Sequence, residues 1–346
     1  MNKLLNELGT RPFSAAEYAD IVRLYTPETA AALAARADAV RRTHYGNAIF
    51  IRGLIEIGNI CKNNCLYCGI RRDNAACDRY RLTDEQILAC CEEGYALGFR
   101  TFVLQGGEDS AFSDARLCAL IAAIKAAHPD CAVTLSLGER SHDSYAALRQ
   151  AGADRYLLRH ETADATHYAA LHPADMSFDN RMACLQDLRA LGYQVGCGFM
   201  VGSPEQTAET LGKDLKFIEE FQPEMCGIGP FIPHAATVFA DQPAGDVGLT
   251  CYLLSVIRLI CPRVLLPATT ALGTLAEDGR ERGIRAGANV VMPNLSPPDV
   301  RGKYELYNHK LSTGAESAQQ VADLAKRLAA IDYVVVTDRG DYKKEG

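Results

Sequence analysis

The sequence predicts an α/β fold, namely a complete (β/α)8 TIM-type barrel preceded by helices and followed by a short C-terminal extension. Between Ile49 and Met292, apolar runs typical of buried parallel strands alternate with amphipathic helical stretches, giving eight strand–helix units. Several helical stretches end in glycine just before the next apolar run, as at Gly98, Gly152 and Gly192, which is typical of helix termination by a left-handed residue. A doubly wound open sheet is the alternative, but it usually contains fewer strands.

The predicted strands and helices follow one another along this region. The strands span residues 49–57, 101–105, 132–137, 155–160, 194–201, 225–228, 264–268 and 289–292. The helices between them include residues 83–97, 114–127, 178–191 and 207–221. Thr83 and Gln86 have the spacing of a capping box, which supports a helix start at this point.

Two flanking segments complete the predicted organisation. Residues 1–46 are predicted to form helices, because Ser14 and the run Thr26-Pro27-Glu28 have the properties of helix N-termini. Residues 47–310 form the predicted barrel domain. Residues 311–346 are predicted to contain a helix near 315–330 and an apolar strand at 333–336, both packed outside the barrel.

Composition excludes several classes of function. The net charge of −7 argues against a protein that binds nucleic acid or anionic membranes. No window contains the eighteen or so uncharged apolar residues that a membrane helix needs, and polar residues follow Met1 too early for a signal peptide. Thirteen cysteines in a long chain without a signal fit a reducing, anaerobic environment better than a disulfide framework. We therefore expect a cytoplasmic protein.

Three cysteines follow the first predicted strand within eight residues: Cys61, Cys65 and Cys68. No fourth Cys or His lies close by, and the next thiol is Cys77. A structural zinc site uses four ligands, whereas three thiolates leave one iron of a 4Fe–4S cubane free for another ligand. The spacing C-x3-C-x2-C, with Tyr67 before the third cysteine, resembles the radical S-adenosylmethionine (SAM) signature. The resemblance implies a cluster whose unique iron is chelated by SAM and whose electron cleaves SAM to a 5′-deoxyadenosyl radical.

Polar residues also lie where predicted strands end, which is where such barrels bind their ligands. The second strand is followed by Gly106-Gly107-Glu108, in which the glycines allow the backbone to approach a ligand and Glu108 can accept from an ammonium group. The third strand contains Thr134 and Ser136, whose hydroxyls share one face because side chains alternate along a strand.

The fourth predicted strand contains three charges of the same parity: Arg155, Arg159 and Glu161. Both faces of a barrel strand are covered, so charges there need partners or a ligand. An internal salt-bridge network is one explanation. We favour a polar cavity in which two guanidinium groups hold an anionic ligand through forked hydrogen bonds.

The remaining candidates have weaker signals in the sequence. Arg181 begins a helix and is equally compatible with the surface, methionines at strand ends pack in cores by default, and tyrosines three residues apart either close the barrel mouth or join the core. These candidates are Arg181, Met225, Thr269, Thr270, Tyr304 and Tyr307.

Longer stretches of the sequence resemble one family, the HydE maturase of FeFe-hydrogenase. The resemblance covers about residues 40–310. It is carried by residues 61–74 with the tail CGIRRDN, 106–109 (GGED), 133–139, 151–162 (AGADRYLLRHET), 178–181, 227–234 (GIGPFIPH), 267–274 (PATTALGT) and 287–294 (GANVVMPN).

This resemblance implies roles for individual residues. SAM would contact Gly106, Gly107, Glu108, Ser136, Glu161 and Arg181, and its adenine would meet the backbone around Tyr67. The substrate cavity would be lined by Thr134, Arg155, Arg159, Met225, Thr269, Thr270, Tyr304 and Tyr307.

The resemblance also implies partners. The substrate would be a small anionic, cysteine-ligated iron carbonyl–cyanide complex that leads to the dithiolate-bridged di-iron site. A ferredoxin or flavodoxin would supply low-potential electrons, and the maturases HydG and HydF would act in the same assembly. Some family members carry a second iron–sulfur site on three cysteines near the C-terminus. Residues 310–325 contain no cysteine here, so we expect one cluster.

Three alternatives remain open at this point. One is a mutase similar to methylornithine synthase, and another is sulfur insertion as in biotin synthase, which needs a second cluster deep in the barrel. Cys131, Cys197 and Cys226 lie near predicted strands, but Cys197 is displaced by one residue from that family's position, which reverses the face it occupies. From a different class, a non-catalytic scaffold could bind zinc through the cysteine loop.

Overall fold

The computed structural model describes residues 2–312 and 317–343. The helices before the barrel are α1 (Lys3–Glu7), α2 (Ala15–Arg23) and α3 (Pro27–Tyr45). The strands are β1 (Ala48–Ile51), β2 (Gly53–Gly58), β3 (Thr101–Gly106), β4 (Ala132–Ser136), β5 (Arg155–Leu157), β6 (Gln194–Cys197), β7 (Met200–Val201), β8 (Met225–Cys226), β9 (Gly229–Pro230), β10 (Val290–Val291) and β11 (Val334–Val336).

The later helices alternate with these strands. They are α4 (Asp84–Ala96), α5 (Asp114–Ala127), α6 (His142–Gln150), α7 (Ala165–Leu171), α8 (Phe178–Ala190), α9 (Ala208–Phe221), α10 (Val247–Ile260), α11 (Thr270–Leu275), α12 (Gly279–Arg285), α13 (Pro298–Arg301) and α14 (Val321–Ala329). Side-chain hydroxyls cap many of them, and Thr83 forms the predicted capping box with Gln86. No helix in the described ranges is both long and apolar enough to cross a membrane.

Six strands form one parallel sheet in the order β2-β3-β4-β5-β6-β8. A second group, β10-β1-β11, is also parallel. Isolated parallel bridges connect the two groups: Met225 pairs with Leu265, Pro267 with Val290, and Leu54 with Asn294. The chain therefore forms a parallel α/β sheet with helices on its outer side.

Strand register separates an apolar outer layer from a polar interior. Ile55, Leu104, Leu135 and Tyr156 are register partners across β2 to β5, and all four are fully buried in the core shared with the helices. The neighbouring positions point the other way because side chains alternate along a strand. Among these, the register row Glu56–Gln105–Ser136 lies toward the carboxyl ends of the strands.

Several predicted strands are shorter or divided in the structure. The first is split at Arg52, where pairing changes from β10 to β3. The fifth is interrupted at Gly198, whose φ of 148° departs from strand geometry, and the fourth ends at Leu157. Residues 264–268 form only bridges rather than a regular strand. The predicted helix start at Ala315 lies outside the described residues, and the helix there begins at Val321.

The C-terminal extension contacts the barrel in two ways. The apolar run at 333–336 contains strand β11, and this strand pairs with β1 in the sheet, a contact that the sequence did not predict. The chain then crosses the amino-terminal end of the barrel, where Asp341 Oδ1 lies 2.6 Å from Nη2 of Arg155, a side chain that is 3% exposed. The guanidinium group of Arg339, which is in the tail, lies 3.0 Å from the carboxylate of Asp154 and 2.8 Å from that of Asp341. The tail therefore neutralises a buried cation that the sequence placed on a strand.

We expect Asp341→Asn to lower the free energy of unfolding by about 1–2 kcal/mol, less than for a fully buried pair because Asp341 is partly exposed. The amide still accepts one bond but leaves the Arg155 charge uncompensated. Chemical denaturation of the apoprotein at neutral pH measures the change. Asp323→Asn is the control, since its pair with Lys326 is exposed. An equal, small effect of both variants would contradict the role of Asp341.

Candidate active site at the carboxyl ends of the strands

A cavity of about 360 Å³ lies at the carboxyl ends of the barrel strands. Fifteen of the eighteen predicted site residues line it, which follows from the parallel order of the strands, since their following loops meet at one end. These residues are Cys61, Cys65, Tyr67, Cys68, Gly106, Gly107, Glu108, Ser136, Arg159, Glu161, Arg181, Thr269, Thr270, Tyr304 and Tyr307.

The loop after β2 carries the three cysteines and is held by long-range contacts. The guanidinium group of Arg79 donates to backbone carbonyls of this region at 2.6–2.8 Å. The amide of Lys62 donates to the carbonyl of Glu108 at 2.9 Å, and the amide of Gly69 donates to the carbonyl of Leu306 at 2.8 Å. The cysteine loop is therefore tied both to the turn after β3 and to residues 304–310 at the cavity mouth, which we call the mouth segment.

The three thiols are half-buried at the cavity wall, and those of Cys61 and Cys68 face backbone donors. Burial raises the pKa of the Cys68 thiol to about 12, and it also raises the pKa of Cys61. The pKa of Cys65 is raised by burial and by the neighbouring thiols. The amide of Glu108 lies 3.4 Å from Cys61 Sγ, and the amide of Ile70 bonds to Cys68. Such donors stabilise thiolate ligands once a metal displaces their protons.

The number and type of these three ligands fit a 4Fe–4S cubane with one iron left open. In the described part of the chain, no three His, Cys, Asp or Glu side chains converge on a point where a single metal ion would bind them. In a cubane each thiolate binds a different iron, so its protein ligands are spread around the cluster. Cys61, Cys65 and Cys68 would therefore hold three irons and leave the fourth open to another ligand.

The Gly-Gly-Glu turn after β3 lies against the cysteine loop. A Cβ on Gly107 would stand 2.3 Å from the carbonyl oxygen of Ile60 and 2.7 Å from Cβ of Cys61, so only glycine fits. The Glu108 carboxylate accepts from the amide of Glu139 at 2.9 Å and lies 3.1 Å from Nζ of Lys62. The turn thus presents a fixed carboxylate beside the cluster site, suited to a cationic amino group.

Beyond β5 the backbone turns so that Glu161 enters the cavity. Glu161 has a φ of 65°, unusual for a residue with a side chain. The amide of Glu161 donates to the carbonyl oxygen of Gly198 at 3.0 Å. Behind it, the amide of Gly198 donates to Nδ1 of His160, whose Nε2 lies 3.3 Å from a carboxylate oxygen of Asp214. Burial lowers the pKa of His160 to about 3. A neutral imidazole therefore supports the left-handed turn from outside.

Two guanidinium groups lie close to this turn. Arg181 is held firmly, because its Nε lies 2.6 Å from Glu139 and its Nη1 donates to the carbonyl of Arg159 at 2.6 Å. Arg159 Nη2 lies 3.1 Å from Glu161, but Arg159 Nε is buried with no hydrogen-bond partner. The buried hydroxyl of Thr269 in the same cavity also has no partner. These groups are available to an anionic ligand.

The structure adds residues that sequence reasoning missed. Lys310 lines the cavity, with its ammonium group 2.6 Å from the carboxylate of Glu56 and 5.3 Å from the centre of the Tyr304 ring. Glu56 is fully buried and also accepts from Asn294 at 2.9 Å. The position of Glu56 inside an apolar strand was a signal for a buried ion pair, because a buried carboxylate needs a cation. Its partner is 254 residues away, which no local pattern indicates. Met176 lines the cavity as well.

Three predicted substrate residues lie elsewhere. Thr134, Arg155 and Met225 line a separate, smaller cavity of about 10 Å³ nearer the amino-terminal end of the barrel. The register explains this position: Thr134 pairs with Arg155 and Arg155 with Gln194, a row one layer below Ser136. The guanidinium group of Arg155 bonds to Asp341 and to Thr101. These three residues are therefore not brought to the cavity that holds the cysteines.

Comparison with known proteins agrees with this geometry. A family model described as the radical SAM superfamily matches residues 55–218. The chain is 43% identical over 309 residues to the [FeFe] hydrogenase maturase subunit HydE of Thermotoga maritima, which covers 89% of this chain and 88% of that protein. The chain belongs to the HydE family. The resemblance inferred from the sequence motifs is thereby confirmed, and with it the assignment as a radical SAM enzyme that cleaves SAM.

Solved structures support the same fold. Methylornithine synthase (PylB) superposes with a TM-score of 0.82 at 24% identity, covering 96% of this chain and 97% of that one. The maturase HydG from Carboxydothermus hydrogenoformans gives a TM-score of 0.78 at 18% identity, covering 96% and 78%. At these identities the likeness concerns the fold alone. Membership in the radical SAM superfamily implies a 4Fe–4S cluster and SAM in this HydE-family chain, in agreement with the arrangement of the three thiols.

We expect Gly107→Ala to retain less than about half of the iron bound by the wild type after anaerobic reconstitution, because the new Cβ displaces the cysteine loop by overpacking. Iron and sulfide analysis and the visible absorption of the cluster measure this. Gly302→Ala is the control, since a Cβ there meets nothing within 4 Å. Full cluster content in Gly107→Ala would contradict the close approach of the two loops.

Proposed function

We propose that this chain is the radical SAM maturase of FeFe-hydrogenase assembly that acts on a small anionic, cysteine-ligated iron carbonyl–cyanide complex on the way to the dithiolate-bridged di-iron site. One observation carries the proposal. The three thiols line the same cavity as Arg159 Nε and the Thr269 hydroxyl, which are buried donors without partners. When bound, the cluster and SAM supply a 5′-deoxyadenosyl radical.

The cofactor side of the cavity is assigned to SAM. Glu108 and the two glycines before it would hold the amino group of SAM, with Ser136, Glu161 and Arg181 as further contacts. The backbone near Tyr67 would meet the adenine. The fixed geometry of Arg181 and Glu108 supports this assignment, because both side chains are held by bonds to Glu139 or its amide. A ligand would find them already oriented.

The substrate side lies between Arg159, Thr269 and the segment that crosses the mouth. A guanidinium group with a free N–H and a free hydroxyl match a carboxylate, which accepts two or more hydrogen bonds. Tyr304 is 2% exposed, and with Tyr307 and Thr270 it completes this wall. Thr134, Arg155 and Met225 would contribute only through the smaller cavity beneath. The enclosure keeps a reactive species from water.

The wider organisation follows from the same proposal. The bridges Met225–Leu265, Pro267–Val290 and Leu54–Asn294 would close the sheet into a complete (β/α)8 barrel spanning residues 47–310. Residues 1–46 and 311–346 would be extensions packed on it. The protein would work in the cytoplasm with one cluster, a low-potential ferredoxin or flavodoxin, and the maturases HydG and HydF, without binding nucleic acid or membranes.

We expect Cys68→Ala to abolish formation of 5′-deoxyadenosine from SAM and dithionite, because a cubane with two remaining protein ligands is not held in place. Product analysis after anaerobic reconstitution measures this. Cys77→Ala is the matched control, since this thiol lies in the same loop region, accepts from Asn59 at 3.5 Å and is not among the residues that line the cavity. Continued SAM cleavage by Cys68→Ala would contradict the assignment. So would a wild-type protein that binds zinc but no iron after reconstitution.

For the substrate, we expect Arg159→Gln to raise the concentration of a synthetic iron–cysteine carbonyl–cyanide complex needed for half-maximal stimulation of deoxyadenosine formation. Loss of a charged hydrogen bond costs about 1.5–3 kcal/mol, or roughly 10- to 100-fold. Arg159→Lys keeps the positive charge but lacks the forked N–H groups of a guanidinium. We therefore expect a half-maximal concentration between those of the wild type and Arg159→Gln.

The same assay with lysine or dethiobiotin in place of the iron complex tests the two alternative activities. Stimulation by either of these compounds, but not by the iron complex, would contradict the maturase proposal. An unchanged half-maximal concentration in Arg159→Gln would instead exclude this guanidinium group as the substrate anchor.

A further inference from the structure

The charge of the cysteine loop is opposite to that of the whole chain. Residues 61–82 contain five basic side chains and two acidic ones, a net charge of +3, whereas the complete chain has a net charge of −7. The fold gathers part of this excess on the surface next to the cluster site. We define the basic patch as Lys62, Arg71 and Arg72.

Short backbone contacts hold the basic patch together. The amide of Arg72 donates to the carbonyl of Asn63 at 2.8 Å, and its guanidinium group donates to the carbonyl of Lys62 at 3.2 Å. Nε of Arg71 donates to the side-chain oxygen of Asn64 at 2.7 Å. Residues 71 and 72 therefore lie against the stretch between Cys61 and Cys65. Their positive charges are held close to these two cysteines in space.

The patch is exposed to solvent and is only partly neutralised. The side chains of Lys62 and Arg72 are 68% and 56% exposed. Lys62 lies 3.1 Å from Glu108, a carboxylate that is 9% exposed and faces the cavity, and Arg72 lies 3.0 Å from Asp73. Asp73 is an exposed carboxylate paired with Arg72, and the three cations of the patch outnumber it, so the patch remains positive.

The basic patch adjoins the cluster site in the chain, because Lys62 directly follows Cys61 and its side chain is 68% exposed. The three cysteines themselves are half-buried and line the cavity. The thioether of Met176 lies 3.6 Å from Cys65 Sγ, and Met176 itself is half-buried between two exposed residues, Asp175 and Ser177. A protein that rests on the basic patch would therefore contact Lys62, the residue next to the cluster ligand Cys61.

We propose that the basic patch is the docking surface for a small acidic protein that carries one electron. A carrier with an excess of carboxylates is repelled by a chain of net charge −7 over most of its surface and attracted at this patch, so charge selects both the partner and its orientation. On docking, the carrier is oxidised by one electron and the cluster gains that electron, which is used to break a carbon–sulfur bond of SAM.

This inference depends on the SAM-cleaving activity of the family but not on the proposed organometallic substrate. Its test therefore uses deoxyadenosine formation without added substrate, together with a binding measurement that needs no turnover. The probes are an acidic [2Fe–2S] ferredoxin, as the anionic carrier, and reduced methyl viologen, a cationic small-molecule reductant.

The variants are Arg72→Glu and the milder double change Arg71→Gln with Arg72→Gln. Lys3→Glu is the matched control, because Lys3 is also exposed and its ion pair lies within helix α1. The dissociation constant for ferredoxin is measured by calorimetry with reconstituted protein at low and high salt. Carbodiimide cross-linking, which joins lysine to carboxylates, locates the contact.

We expect Arg72→Glu to weaken ferredoxin binding and ferredoxin-driven deoxyadenosine formation by about fivefold or more at low salt, with a smaller loss for the double Gln variant. The viologen-driven rate and the Lys3→Glu control should stay at the wild-type level, and cross-links should include Lys62. High salt should abolish the difference between variant and wild type.

Two results would overturn the proposal. One is equal loss with ferredoxin and with methyl viologen, which places the defect in the cluster rather than in docking. The other is unchanged, salt-independent ferredoxin binding by both variants, with cross-links away from Lys62. Failure of the iron–cysteine complex to stimulate the wild type would contradict the proposed function while leaving these measurements intact.

Discussion

Charges buried inside the barrel set the main constraint on this structure. A guanidinium, ammonium or carboxylate group in a covered sheet must find a partner, because the free energy of transferring an isolated charge from water is prohibitive. Three cations obey this rule through carboxylates from distant parts of the chain: Arg155 with Asp341, Lys310 with Glu56, and Arg181 with Glu139. These pairs tie the C-terminal tail, the mouth segment and helix α8 to the barrel. Arg159 also lies near a carboxylate, that of Glu161 at 3.1 Å, but its buried Nε has no hydrogen-bond partner, and the same is true of Nε in Arg52 and Arg140. Of these three side chains, Arg159 is the one that lines the cysteine cavity, so a ligand there would supply the missing acceptor.

The sequence was informative about which residues face inward, but less so about their height along the barrel. Alternation predicted one face for Arg155, Arg159 and Glu161, but the strand ends at Leu157, and Arg155 lines the smaller cavity while Arg159 and Glu161 line the cysteine cavity. Whether Arg155 meets the cysteine cavity depends on the register between β4, β5 and β6, which one sequence does not contain. The same limit applies to Lys310 and Asp341, whose partners are 254 and 186 residues away. The cysteine spacing and the Gly-Gly-Glu turn were predictable because each is a contiguous segment whose chemistry needs little context.

Element boundaries failed where the backbone serves the site rather than the sheet. The fourth predicted strand stops at Leu157, and the chain then passes through the left-handed turn at Glu161. Apolar and charged residues continue to alternate past the strand end, so the pattern gave no indication of this change. A non-glycine residue at positive φ is unfavourable and persists only when its surroundings hold it. Here the bond to Gly198 and the buried His160 provide that support.

The cations that line the cavity and the cations on the surface of the cysteine loop have different roles. Inside, Arg159, Lys310 and Arg181 surround a cavity suited to an anionic ligand, and each already lies within 3.1 Å of a carboxylate. Outside, Lys62 and Arg72 are exposed to solvent. The bond from Gly69 to Leu306 holds the loop against the mouth segment, and Lys62, Arg71 and Arg72 are not among the residues that line the cavity. The glycine at position 69 is required for this contact, because a Cβ there would lie 2.2 Å from the carbonyl oxygen of Glu305. The proposed electron carrier and the proposed substrate would therefore use different cations at the same cluster.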